Sequence, residues 1–516
     1  MLASILWMMG ALALAAEPEP VEEPDVSESA DEAGADETGA TDAAEGEGSE
    51  DDGPIEPEGP VRAEPPEVLA ATPFDYAEPE ERELAPGVTM LHVHVPRVRK
   101  VSVRVVVHRG AEDLGGAYTA EVRALEGLLD VAGGAYDSVA LETERDLYNV
   151  DLMSWMGYTR GGLDMDVPRE DLEKGVELLA ATLLEPSFPA AELRRWVTDR
   201  IVYMEQQAMT SPRVLSRYAT TYGWYPADSV YGTRVGVEDY ALVTRFGVVS
   251  RYDEWLEGAP VTVLVVGDLT ADEAATALAP AIVGLGGTGE EAPEPDHERL
   301  SEERVVVVGL AGQEQVTIGL RAHAPVAGDP DRVAMEVMDF ALGGTFLARL
   351  NRNLREENGF TYGIYSRVDS RPGRAVWSTG TQVATEDAAE AILEIEREIA
   401  KMAADGITDV ELDAATRERV ASWNSVRATS ESAAGFFERR AFLEQETVAQ
   451  ARERLDTLAS VTSEDTARVA EAYLALGRPR LWVLVGDPAG LRAELDQLGW
   501  TDVHWVTAEG ALAGAY

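Results

Sequence analysis

Two stretches, VTVLVVGDLTADEAATALAP at 261–280 and RLWVLVGDPAGLRAELDQLG at 480–499, share one pattern: an apolar strand closing on Val-Gly-Asp ahead of a helix. Working outward, ALEGLLDVAGG at 124–134 has a counterpart in AMEVMDFALGG at 334–344, with Ala, Glu and apolar residues at the same steps and paired glycines as a stop. FPAAELRRWVTDRIVYMEQQ at 188–207 matches GITDVELDAATRERVASWNS at 406–425 in the same order. Three ordered matches mark a duplicated domain. Each copy opens on strands, VSVRVVVHRG at 101–110 and QVTIGLRAHAP at 315–325, whose period-two alternation predicts half-buried pairing. Helices, more strands and a long amphipathic helix follow, so each copy reads as α+β, a sheet covered on one face by helices.

Composition shifts set the boundaries. Residues 1–16 form an apolar run ending in Ala13-Leu14-Ala15, an export-signal pattern too short to span a bilayer; no Lys or Arg precedes it, which leaves an uncleaved anchor as the alternative. Residues 17–72 have almost nothing to bury and are expected to be a disordered, self-repelling acidic linker. The duplicated domains then occupy 73–285 and 304–516, about 215 residues each, joined by the polar linker 286–303.

The chain has 516 residues, a hydrophobic fraction of 45% and a net charge of −51. Residues 17–67 hold 20 acidic side chains against Arg62 alone, so that segment carries −19 and leaves −32 to the rest. Both parts repel nucleic acid and anionic lipid, which removes those partners, and no segment reads as a stable membrane span. The absence of cysteine excludes disulfides, thiolate zinc sites and cysteine nucleophiles.

Zinc chemistry on the 120–130 helix would need H-x-x-E-H, with two histidines on one helix face, a glutamate to deprotonate the bound water and a remote carboxylate as third ligand. The five residues here are Arg123, Ala124, Leu125, Glu126 and Gly127. Arg123 brings a fixed positive charge and Gly127 no side chain, so neither binds a cation; Arg123 and Glu126 read as a surface i,i+3 ion pair. His92 and His94 share a strand face and could hold one ion, but no third donor stands near them in sequence. The other four histidines are scattered singly, and neither a G-x-S-x-G elbow nor a phosphate-cradling glycine loop occurs.

One further stretch bears chemistry. TFLARLNRNLREEN at 345–358 has helical apolar spacing, and Asn358-Gly359 supplies a left-handed stop. Phe360, Tyr362 and Ile364 then alternate with Thr361, Gly363 and Tyr365, as a strand does. Taken alone, Tyr362 reads as a strand core aromatic and Arg355 as a charge offsetting the helix dipole.

The run GGTFLARLNRNLREENGFTYGIYS resembles the C-terminal-domain signature of the insulinase and pitrilysin family of zinc peptidases, in which a helix bearing L-R-E is followed by glycine and then tyrosine. The resemblance extends over nearly all of 85–510: ALEGLLDVAGG occupies the place of the H-x-x-E-H helix, and the family's downstream glutamate ligand falls near RRWVTDR at 194–200, where Arg195 and Val197 are the nearest equivalents. It implies that the two domains form a clamshell and that Arg355 and Tyr362 reach substrate bound at a zinc ion. It also implies that this chain, lacking the ligands, binds no cofactor itself. The family includes paired bacterial forms in which one subunit keeps the zinc helix and its partner only the Arg/Tyr motif.

The reading that follows is an exported, zinc-free subunit of a heterodimeric peptidase, in the periplasm, the cell envelope or outside the cell. Its partners would be a zinc-bearing subunit of the same family and a peptide substrate, most simply bound as an added strand on a sheet edge. Two alternatives stand beside it: a non-enzymatic scaffold of the same fold, and an active metallopeptidase using unrecognised ligands such as Glu126 with His92 or His94.

Overall fold

Twelve strands make two six-stranded sheets in a computed structural model that describes residues 72–515, apart from 116–118, 228, 288, 290–299 and 372. The expected export signal and nearly all of the acidic linker lie outside the described residues. No helix among the described residues is long and apolar enough to cross a membrane.

The first sheet contains β1 (Glu80–Ala85), β2 (Val88–His94), β3 (Lys100–Val107), β4 (Asp151–Met156), β5 (Gly161–Pro168) and β6 (Val261–Gly267), in the order β1-β2-β6-β3-β5-β4. The second contains β7 (Arg304–Gly309), β8 (Gln315–His323), β9 (Tyr365–Arg371), β10 (Arg374–Ala384), β11 (Arg480–Gly486) and β12 (His504–Thr507), in the order β12-β7-β11-β8-β10-β9. Removing the edge strands β1 and β12 leaves identical five-strand topologies: a parallel pair (β2 with β6, β7 with β11) followed by antiparallel neighbours. The duplication read from the sequence is a duplication of topology. Only the sixth strand breaks it: at the equivalent edge β1 pairs antiparallel to β2 and β12 parallel to β7.

The repeated Val-Gly-Asp has a local explanation. Asp268 accepts the Arg97 N–H at 2.9 Å and Asp487 accepts that of Gly312 at 3.0 Å, each fixing the turn after the strand beside its own. Both turn residues have left-handed backbones, Arg97 with φ 70° and Gly312 with φ 79°, so the carboxylate holds a bend that an extended chain would avoid. The backbone hydrogen bond keeps each carboxyl below its ordinary range.

The halves exchange helices. Pro212–Trp224, from the first half, packs on β7, β11 and β8 of the second sheet, while Ser430–Glu438, from the second half, packs on β3 and β6 of the first. Each is capped by a hydroxyl, Ser211 and Thr429 respectively. This corrects the half-buried expectation for β3: from Val101 to Val107 every residue is buried, with Ser430–Glu438 packed on the strand and Val101, Val103, Val105 and Val107 in the first-half core. In β8 the expected alternation holds.

Candidate functional site

The helix Ala120–Leu128 starts at Thr119, whose hydroxyl accepts the Val122 N–H at 3.3 Å. It buries Val122, Ala124, Leu125 and Leu128 against the first-half core. Arg123, Glu126 and Gly127 therefore face the other way, into a cavity of about 670 Å³. Arg123 and Glu126, expected on the surface, stand half-buried in the wall of this cavity. Around them is an aromatic shell that includes Trp196, Tyr222 and Tyr240. Burial pushes the Tyr222 hydroxyl up to about 12, against the pull of Arg123 and Arg234.

Trp196 decides what this cavity can hold. A Cβ at Gly127 would lie 2.4 Å from the indole Nε1, so the missing side chain at 127 is the space the indole fills. The ring sits edge-on to Tyr240 at 5.7 Å, with the Arg200 guanidinium 5.3 Å from its centroid. Its Nε1 is buried, with no hydrogen-bond partner among the described residues. Of the two positions expected near the third ligand, Arg195 is exposed and pairs with Glu192 at 2.7 Å, and Val197 is half-buried. Sequence reasoning passed over the residue between them, whose one signal was a tryptophan amid charged helical neighbours.

A zinc ion does not fit these residues. A guanidinium stands at one ligand position and an indole fills the other, and no histidine lines the cavity. His92 Nε2 lies 3.0 Å from the Leu269 carbonyl, and His94 Nε2 3.0 Å from Asp268, so both histidines are engaged by the loop after β6. Among the described residues no three of His, Cys, Asp or Glu are grouped as a metal would require.

The Arg355 and Tyr362 segment departs from its sequence reading in an informative way. The helix is α over Arg349–Asn351 and widens to a π-helix over Arg352–Glu357. It ends as expected at Gly359, whose φ is 72°, with Phe360 N donating to Leu354 O at 2.8 Å. The strand begins only at Tyr365, so Tyr362 is no core aromatic: it is 92% exposed. The residues between form a clamped turn. Thr381 Oγ1 donates toward Gly363 O at 3.0 Å and lies 2.7 Å from Thr361 Oγ1, while Asn351 accepts the Ile364 N–H at 3.2 Å and donates to Phe346 O at 2.6 Å. Arg349 anchors the helix by a two-pronged pair with Glu411, at 2.7 and 2.6 Å.

On this support Arg355 and Tyr362 come together. The Arg355 guanidinium carbon is 5.5 Å from the Tyr362 ring centroid and 4.4 Å from that of Phe346, so the cation is held between two rings. Both residues line a second cavity, of about 1310 Å³, floored by β8, β10 and β9 and walled on its far side by Pro212–Trp224. Small residues keep the floor low: Gly380 pairs across to Gly319 on one side and to Tyr365 on the other. Arg217 and Thr221 line both cavities, so the space beside Arg123 and the space beside Tyr362 meet along that helix.

Comparison with known proteins gives this cleft its context. Residues 244–418 match the family model described as Peptidase M16 inactive domain. An uncharacterised zinc protease of Mycobacterium leprae is 25% identical over 334 residues, 63% of this chain and 74% of that one. The peptidase M16 inactive domain of Pseudomonas fluorescens superposes with a TM-score of 0.69 at 19% identity, covering 81% of this chain and 98% of that one. The periplasmic protease PqqL of Escherichia coli gives 0.65 at 16% identity, covering 81% of this chain but 47% of that one. The insulinase and pitrilysin likeness thus has support at three levels: residues 244–418 are similar to the peptidase M16 inactive domain, the chain is similar to proteins named zinc proteases, and its fold is that of a solved M16 inactive-domain protein.

Proposed function

We propose that this chain is the zinc-free subunit of a heterodimeric, exported peptidase, and that it offers Arg355 and Tyr362 to a peptide hydrolysed at a zinc ion held by its partner. The carrying observation is the pairing of those two side chains on a clamped turn at a cleft that meets, along Pro212–Trp224, the cavity where Trp196 packs against Gly127. Functional groups on a rigid support with open space before them suit binding better than packing. The guanidinium and phenol would donate to the carbonyl oxygens flanking the scissile bond, where charge develops as the carbonyl is attacked. Loss of one such donor costs about 3–4 kcal/mol.

The half-length match to PqqL supports a paired arrangement, since that protein has room for a second unit of this size in one chain. That protein is periplasmic, which supports the same compartment here. The test is reconstitution with the zinc-bearing subunit, comparing Arg355→Ala and Tyr362→Phe with the parent. A fall in kcat/KM of on the order of 10²-fold or more in each is expected. Unchanged values in both variants would leave the scaffold reading in its place.

A further inference from the structure

The cavity beside Tyr362 is lined by Arg213, Arg217, Arg321, Arg355 and Arg367, and by no aspartate or glutamate. This is unexpected in a chain of net charge −51, whose acidic residues outnumber basic ones 94 to 43. Other buried arginines are answered: Arg349 by Glu411, Arg104 by Asp166, Arg480 by Glu303 and Glu396. Among the described residues none of the five cleft arginines makes an ion pair. Arg217 reaches the Tyr203 hydroxyl at 3.5 Å and lies 5.6 Å from the Tyr218 ring centroid, and Arg321 lies 5.7 Å from the Trp224 ring centroid.

Arg321 is the clearest case. Its Nε is buried without a hydrogen-bond partner among the described residues. It stands beside Ser378, which Arg367 flanks from the opposite strand, so the two cations share one face of the sheet. The carboxylate that acts on it, Asp369, is engaged by Arg371 at 3.2 Å and Arg374 at 3.9 Å. Burial, with Arg374 and Arg367 nearby, presses the Arg321 guanidinium below its ordinary range. A buried cation without a counter-charge is costly, and like charges gathered on one wall add to the cost. Both costs fall when an anion enters.

We infer that the cleft selects acidic peptide segments, with Arg213, Arg321 and Arg367 receiving aspartate or glutamate side chains while Arg355 and Tyr362 address the backbone. The inference rests on the peptide-cleft reading above and adds the substrate class. The negative outer surface does not prevent it: exposed charges are screened beyond about 8 Å at physiological ionic strength, whereas the cleft arginines act at contact. Guanidinium groups suit the task, because their planar donors match a carboxylate in two-pronged geometry.

The test uses the full chain and fluorescence anisotropy with two labelled probes, an extended glutamate-rich peptide and its glutamine counterpart, at low and at physiological salt. The glutamate peptide is expected to bind about tenfold tighter or more, with the advantage shrinking as salt rises. Arg213 and Arg367 are exposed, so the double variant Arg213→Gln, Arg367→Gln should fold normally. It should lose the advantage while binding the glutamine peptide as before. Equal affinity for both peptides overturns the charge inference and leaves the peptide cleft standing. Persistence of the advantage in the double variant overturns it too, placing the selecting charge elsewhere. Failure of both peptides to bind takes down the cleft reading and the inference together.

Discussion

The two exchanged helices occupy equivalent places and do different work. Ser430–Glu438 lies on β3 and β6 of the first sheet and buries Ala433, Ala434 and Phe437. Pro212–Trp224 lies on β7, β11 and β8 of the second sheet and stops short of β10 and β9. The uncovered part is the floor of the larger cavity, with Gly319, Gly380 and Ser378 where bulky residues would otherwise pack. Both helices stop short of the last two strands of their sheets, but on the first sheet Arg104, paired with Asp164 and Asp166, and Trp155, bonded to Asp164, occupy that part, whereas small residues leave a cleft on the second.

The helices that carry the repeated glutamate differ in the same sense. Glu126 lines the cavity beside Trp196, whereas its counterpart Glu336, on Arg332–Asp339, is locked into a buried ionic cluster. Glu336 meets Arg332 at 3.0 Å and Arg454 at 2.8 Å, and Glu444 meets Arg332 at 2.7 Å, Arg439 at 2.9 Å and Arg440. The second-half helix is cemented in place. The first-half helix borders open space.

The sharpest way to break this contrast is Glu444→Ala. The side chain is 2% exposed and answers several guanidiniums at once, so its loss strands buried cations. Equilibrium urea unfolding should show a loss of about 3–5 kcal/mol. A loss under about 1 kcal/mol would mean the cluster is wet and contributes little.

A smaller effect is expected at the other helix. Gly127→His forces a side chain into the Trp196 indole, and overpacking of this kind costs about 1–3 kcal/mol. Adding Trp196→Ala should return part of the loss. If Gly127→His is neutral by itself, Trp196 does not fill the ligand position as tightly as the geometry indicates.

The smallest expected effect concerns the first sheet. Burial, reinforced by Asp164, pushes the Glu438 carboxyl up to about 7. Since the folded value lies above the ordinary carboxylate range, the fold favours the protonated acid. Its contribution is fully present below the ordinary range and is lost as pH rises through about 7. Glu438→Gln should therefore gain on the parent chain between about pH 5 and about pH 8, by on the order of 1–2 kcal/mol after discounting for partial exposure. A pH-independent difference between the two chains would show that Glu438 does not titrate in this window.

The two-pronged comparison also marks what could be read in advance. The Val-Gly-Asp strands, the paired helices and the helical stop at Gly359 were legible, because periodicity and turn chemistry are local properties. The inability of Arg123 and Gly127 to bind a cation was legible too, since it follows from the two side chains whatever surrounds them. Tyr362 was misread from spacing alone, because nothing in FTYGIY announces that Thr381 and Asn351 will hold a turn where a strand was expected. Burial of β3 on both faces was hidden as well, its covering helix lying more than three hundred residues away in sequence.

The sequence by itself determined that the chain is a duplicated α+β protein and that the residues at 123 and 127 are an arginine and a glycine, which bind no cation. Each follows from residue identity or short-range order. Only the tertiary structure decided that the Trp196 indole takes the space a side chain at 127 would need, that each half lends a helix to the other's sheet, and that five arginines line one cleft without a carboxylate. Those facts are juxtapositions of segments distant along the chain, and packing sets them where periodicity has no reach.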